Sequence, residues 1–195
     1  MDKDHSEKWR GQQRRRLLAE RLALGHELHR RWSAAIEKRF SLLLDGLPGA
    51  VLGLYWPVKA EFDPRPLAQR LREQGRVTAL PAVIERGGCL EYRVWEEQTE
   101  MTGGIYGIPV PRERRLTSPA IAILPLLGFD AANYRLGYGG GYFDRTLAAL
   151  EKRPVTIGAA FEAARLDTIF PRSHDIAMDI VVTEACLQRK MRAEQ

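Results

Sequence analysis

Apolar residues recur mostly at spacings of three and four along the first part of the chain. Leu18, Leu22, Leu28, Trp32, Ile36, Phe40 and Leu43 outline amphipathic helix between about Trp9 and Leu44. Gly25 divides this stretch into two helices. The period then changes. Val51 to Tyr55 is a short, continuous apolar run closed by Pro57, which reads as a buried strand. After the turn at Glu61-Phe62-Asp63-Pro64, the segment Arg65 to Gln74 carries helical spacing through Leu67 and Leu71 and stops at Gly75. Val77 to Leu80 supply a second strand, so strand, helix and strand follow in close succession.

Leu90, Tyr92 and Val94 alternate with Glu91, Arg93 and Trp95, which predicts a half-exposed antiparallel strand. The polar stretch onward to Arg115, with Gly103-Gly104, reads as an excursion. Ile121 to Leu127 is a central buried strand, followed by a glycine-rich loop and a helix from about Tyr142 to Glu151. A strand near Thr156 to Ala160 and a last short strand at Ile180-Val181-Val182 complete the pattern. Strands and helices that alternate, with continuous apolar strands, predict an α/β fold: a three-layer α/β/α sandwich with a mostly parallel central sheet. Ligands in such folds sit at the carboxyl ends of strands, where the loops at Trp56 to Asp63 and Gly128 to Tyr142 should fall.

Composition narrows the class. The 195 residues, 45% of them hydrophobic, suffice for one core, and one domain over residues 1–195 is expected. Charged residues at 28%, with 17 glycines and 11 prolines, fit neither a collagenous, a disordered nor a disulfide-scaffold chain. No apolar run approaches the ~18 residues that span a bilayer. The start MDKDHSEKWRGQQRRR has no apolar stretch that would serve as a signal peptide, so a cytoplasmic location is expected. Cys89 and Cys186 match no zinc or redox spacing. His26 and His29 lie at i and i+3 but lack a third ligand at a fitting spacing, which leaves them as solvated helix histidines. Residues 1–40 hold eleven Lys or Arg against six Asp or Glu, so the whole formal charge of +5 is local to that segment. It attracts anions without creating the overall positive field of a nucleic-acid coat protein.

The segment Asn133-Tyr134-Arg135-Leu136-Gly137-Tyr138-Gly139-Gly140-Gly141-Tyr142-Phe143-Asp144-Arg145 sets four glycines between a buried strand and a helix. Backbone without Cβ approaches a ligand closely, and N–H groups at a helix start bind anions, which makes polyphosphate a natural guest. No Lys-Ser or Lys-Thr follows as in a Walker A loop, and Tyr142 occupies the last position of G-x-G-x-x-G. A purely geometric glycine turn is the competing reading. Arg135 and Arg145 add two cations, and Asp144 offers a magnesium ligand.

The run LGFDAANYRLGYGGGYFDR closely resembles the signature of the 5-formyltetrahydrofolate cyclo-ligase family. Weaker resemblances at Arg10 to Leu24, Trp56 to Asp63, Gly107 to Pro111 and His174 to Asp179 extend it over essentially the whole chain. The resemblance implies ATP- and Mg2+-dependent closure of 5-formyltetrahydrofolate to 5,10-methenyltetrahydrofolate; a monomer with no nucleic-acid or membrane partner is expected. It assigns ATP to Arg10, Arg14, Arg135, Gly137, Tyr138, Gly139, Gly140, Gly141, Tyr142, Phe143 and Arg145. The folate falls to Trp56 and Glu61 together with residues 138–142, and magnesium to Asp144 and Asp179.

Three details qualify the transfer. Arg10 stands where the family has a lysine; it keeps the charge and can fork to phosphate oxygens, with Lys8 as an alternative reach. Asp175 competes with Asp179. Val110 replaces a glutamate that many members carry before the proline of a Gly-Ile-x-Glu-Pro stretch, so any polar contact there is absent or supplied otherwise. Without the resemblance, Trp56 reads as core and Glu61 as an exposed turn residue. Two rival readings stay open: a related enzyme acting on another formylated or carboxylated substrate, and a nucleotide- or RNA-binding module without catalysis.

Overall fold

A computed structural model describes residues 3–190. Helices α1 (Lys3–Leu22) and α2 (His26–Asp45) flank Gly25, as the spacing predicts. After β1 (Val51–Gly53), α3 (Arg65–Glu73), β2 (Val77–Val83) and β3 (Leu90–Val94), the excursion contains β4 (Met101–Gly103), β5 (Pro109–Pro111) and β6 (Leu116–Thr117). Then follow β7 (Ile121–Pro125), β8 (Gly128–Asp130), β9 (Arg135–Leu136), α4 (Tyr142–Ala149), β10 (Val155–Ala159), β11 (Arg165–Leu166), β12 (Ile180–Val182) and β13 (Leu187–Arg189). Among the described residues, no helix is long and apolar enough to cross a membrane.

The main sheet runs β13-β12-β10-β7-β1-β2-β3-β6. Its five central strands are parallel, and β3, β6 and β13 pair antiparallel at the edges. Successive strand side chains face opposite sides, and β7 feeds two cores in that way. Ile121 and Ile123 pack with Ile36, Phe40 and Leu67 of α2 and α3, whereas Ala122 and Leu124 pack with Leu147 of α4. Helices on both faces of a largely parallel sheet make the expected three-layer α/β/α fold.

Four short features depart from the sequence expectation. The polar excursion holds the β4–β5 hairpin, and β8, β9 and β11 form a separate three-stranded sheet partly within the stretch read as loop. β13 follows the strand expected to be last. These short strands (MTG, PVP, GFD, RL, RL and LQR) lack the continuous apolar run that marks β1 and β12, so the apolar pattern does not report them.

The fourth departure concerns α1. Leu22 is 57% exposed, while the buried positions are Ser6, Arg10, Leu17 and Arg21, spaced along one helical face. Arg10 donates through Nε to the Ile169 carbonyl (3.0 Å) and through Nη2 to the Phe170 carbonyl (3.1 Å), and it pairs with Asp175. Trp9 stands edge-on to Phe170, with ring centroids 4.9 Å apart. Burial opposes ionisation of Asp175, yet Arg10 and the Arg172 N–H outweigh it and hold the carboxyl below its ordinary value. Arg10→Met should therefore strand a buried carboxylate and cost about 3–5 kcal/mol of stability. Since the folded value is depressed, the pair stabilises above the unfolded value near ~3.9 and loses this as pH falls through the folded one. Urea titrations across pH should show the variant's deficit shrinking on acidification.

Candidate active site

The loop after β1 sets the first half of the site. Lys59 and Ala60 adopt left-handed backbone, with φ of 50° and 56°, at a cost of order 1–3 kcal/mol each. Three anchors hold them: Arg21 Nε–H donates to the Lys59 carbonyl (3.0 Å), the His29 Nε2 meets the Ala60 carbonyl (3.1 Å), and the Val58 N–H donates to Glu61 Oε2 (2.9 Å). His29, also edge-on to Phe161 at 5.2 Å, is thus an anchor and not the solvated histidine expected. The left-handed pair turns Glu61 inward until it is only 5% exposed, which corrects its reading as an exposed turn residue. Trp56 lies half-buried against Trp95 (6.2 Å), with the Arg65 guanidinium over its ring at 5.0 Å.

The glycine loop supplies the second half. Tyr138 reaches across and donates from its hydroxyl to Glu61 Oε1 at 2.8 Å. Arg21, from α1, donates to the same hydroxyl, and Lys59 lies over the Tyr138 ring at 4.8 Å. Burial is the largest influence on Glu61 and raises its carboxyl above the ordinary value; the Val58 N–H, the Tyr138 hydroxyl, Arg21 and Lys59 oppose it. Tyr138 itself is pushed up by burial and by the Glu61 charge.

Arg14 lies against the loop, donating through Nε to the Gly137 carbonyl at 2.9 Å. Burial pulls its guanidinium below the ordinary value, opposed by Glu7 3.8 Å away. It is a poorly compensated cation beside open backbone. Among the described residues no protein group accepts from the N–H of Gly139 or Gly140. Gly139 has a φ of +100°, and a Cβ there would stand 3.5 Å from Arg14 Cζ. Gly141, at φ 64°, begins α4.

The remaining expected residues are distributed less evenly. Arg10 is committed to Asp175 and two carbonyls, and Lys8 is exposed. Arg135 is buried against Asp144, whose other oxygen accepts the Ile176 N–H at 3.2 Å, and the Arg135 Nε has no partner among the described residues. Phe143 packs against the α4-side core, with Arg135 over its ring. Tyr142 meets the Tyr106 hydroxyl at 2.7 Å, and Arg145 bonds the Gly140 carbonyl at 2.6 Å, which fastens the loop from outside. Asp179 shares no partner with Asp144: it accepts from the Thr156 N–H and hydroxyl, both at 2.8 Å, where β10 begins. No cluster of three His, Cys, Asp or Glu fit to hold a metal occurs among the described residues. Val110 is buried in β5. Arg21 is the residue that sequence reading missed, because a charged helix position normally signifies solvent.

The chain is thus an α/β protein whose candidate site joins a buried carboxylate to a glycine-rich loop. A profile described as the 5-formyltetrahydrofolate cyclo-ligase family matches residues 6–184, and the chain belongs to that family. It is 29% identical over 130 residues to a 5-formyltetrahydrofolate cyclo-ligase of Escherichia coli, covering 63% of this chain and 71% of that one. To the cyclo-ligase of Mycoplasma pneumoniae it is 36% identical over 62 residues, a match that takes in 32% of this chain and 37% of that protein's length. The solution structure of a 5,10-methenyltetrahydrofolate synthetase from Aquifex aeolicus superposes with a TM-score of 0.80 at 26% identity, covering 95% of each chain.

Gly139→Val separates a ligand loop from a geometric turn. A β-branched residue at φ +100° is strained and should cost ~1 kcal/mol or more. A ligand loop also loses nucleotide affinity in the fraction that remains folded. Calorimetric titration with ATP beside thermal unfolding should show both losses, whereas a bare turn would show the stability loss alone.

Proposed function

We propose that the protein closes 5-formyltetrahydrofolate to 5,10-methenyltetrahydrofolate with ATP and Mg2+, releasing ADP and phosphate. The observation that carries this reading is the 2.8 Å bond from Tyr138, within the glycine loop, to Glu61. It sets a phosphate-type loop beside a buried acceptor of N–H groups, the two halves that the reaction requires.

A formamide oxygen is a poor leaving group. Transfer of the γ-phosphoryl group to that oxygen makes it a good one; N10 of the folate then attacks the formyl carbon, and phosphate departs as the ring closes. No protein nucleophile is needed, so positioning and charge neutralisation do the catalysis. Glu61 accepts from the N–H donors of the reduced pterin, and Trp56 offers an aromatic wall to its plane. Arg14 and the free N–H groups of Gly139 and Gly140 receive phosphate oxygens. Magnesium, which takes one or two protein carboxylates and otherwise phosphates and water, would be held by Asp144 and would offset phosphate charge. Asp144 adjoins the loop, and taking the ion would require it to give up Arg135 or the Ile176 N–H; Asp179 accepts from Thr156 through Oδ2.

The inward turn of Arg10, Arg14 and Arg21 weighs against the RNA-binding alternative, which needs those charges on a solvated face. In a spectrophotometric assay, ATP, Mg2+ and 5-formyltetrahydrofolate together should give the methenyl product with stoichiometric ADP. ADP at the level of a no-folate control would end this reading. Arg14→Ala should raise the KM for ATP by about tenfold or more through loss of a charge-assisted contact, with the KM for folate nearly unmoved.

A further inference from the structure

Arg21 is assigned no role by the sequence reading, yet it sits 8% exposed at the junction of three segments. Its Nε–H donates to the Lys59 carbonyl (3.0 Å), its Nη1 to the Leu126 carbonyl (3.3 Å) and its Nη2 to the Tyr138 hydroxyl. From Nη2 to Glu61 Oε1 the distance is 3.8 Å, so Tyr138 mediates the stronger connection between the two charges. We propose that Arg21 is a positioning residue for the candidate folate-binding carboxylate: it fixes the direction of the chain Arg21 to Tyr138 to Glu61 and holds Glu61 as an acceptor toward the ligand. This rests on the function proposed above.

The direction follows from the inventory of donors. A guanidinium has only N–H groups to offer, so the phenol oxygen must accept from Arg21. A phenol has one hydrogen, and that hydrogen is then left for Glu61. Without Arg21 the hydroxyl is free to rotate toward water or to accept from another donor, and Glu61 Oε1 loses its partner. The charge acts in the same sense. The groups facing Glu61 are Arg21 from α1, Lys59 and the Val58 N–H from its own loop, and Tyr138 from the glycine loop. Tyr55 beyond β1 donates to the Phe62 carbonyl (2.7 Å), and Asp63 lies farther along the loop. Of the two cations, Arg21 is buried, whereas Lys59 is exposed and its charge is screened by water.

The alternative is a mere brace between the Lys59 and Leu126 carbonyls, and the test must separate the two. Glu61 is followed by carboxyl 13C NMR against pH in the unliganded full-length protein, with Glu61→Gln to assign its resonance. The wild type is compared with Arg21→Gln and Arg21→Lys. The expected result is a rise of Glu61's titration midpoint by about one pH unit or more in Arg21→Gln, with partial return in Arg21→Lys. The acid limb of the folate kcat/KM profile should move by the same interval, and the loss should shrink as pH rises.

An unmoved midpoint in a folded variant, or a loss equal at every pH that lysine does not reduce, would overturn the proposal. Should Arg21→Gln fail to fold, Arg21→Lys decides: a midpoint raised beyond error above that of the wild type supports it, and an unmoved one refutes it. Absence of folate turnover in the wild type would sink the proposed substrate instead, while the NMR comparison would still decide what Arg21 does to Glu61.

Discussion

A helix that buries arginines on its inward face is the constraint from which the site follows. A guanidinium taken out of water costs several kcal/mol unless its N–H groups find acceptors. For α1 those acceptors are mainly carbonyls of loops: Ile169 and Phe170 for Arg10, Gly137 for Arg14, Lys59 and Leu126 for Arg21. Chain that leaves a strand no longer has a ladder partner, and its buried carbonyls must be satisfied by something else. Each side therefore supplies what the other lacks, and the helix orders the folate-side loop and the glycine loop together. Leu17, packed with Leu127, Leu136 and Ile169, is the apolar pin in this polar contact.

The energetic cost of the arrangement is concentrated in a few residues. Burial raises Glu61's folded value above its unfolded one, so the group favours folding at pH below the unfolded value and this is lost as pH rises through the folded one. Two left-handed residues, Lys59 and Ala60, sit immediately before Glu61. Strain and a buried charge in one turn persist only where the surroundings over-determine them, and such places cluster at functional sites. That reasoning singles out residues 58–61 without reference to any relative.

Much of this was legible in the sequence, for identifiable reasons. The apolar stripe of α2 gives Ile36, Phe40 and Leu43, and the five parallel strands announce themselves as continuous apolar runs. The glycine loop stands out in the sequence because four glycines gather just before a helix, which suggests an anion site beside the plainer reading of a geometric turn. Burial of Glu61 was not: it depends on a backbone conformation that neither Lys59 nor Ala60 advertises. Arg21 was hidden by the rule that a run of charge means a solvated face. That rule holds for Arg15 and Arg16 and fails for Arg10 and Arg21, five or six residues to either side. Asp179 enters through the resemblance alone, and its carboxylate accepts from the Thr156 N–H and hydroxyl near the start of β10.

Arg10, where the resemblance to the family leads one to expect a lysine, shows why charge alone does not transfer a contact. Lysine offers three N–H groups on one atom, whereas arginine spreads five over a rigid plane. The acceptors around Arg10 are spread in the same way, with two carbonyls meeting Nε and Nη2 and the Asp175 carboxylate completing the set. A fork engaged on so many partners has little left to offer a phosphate. Arg14, one turn on, is in the opposite position: its Nε is held by the Gly137 carbonyl, and its one ion pair among the described residues is with exposed Glu7 at 3.8 Å. Glu7 is nearer to Arg172, at 2.6 Å. The two arginines thus divide what a charge count treats as one basic motif. Arg10 fastens the helix to loop 169–175, and the fastened helix presents Arg14 to the glycine loop as the cation still short of an anion.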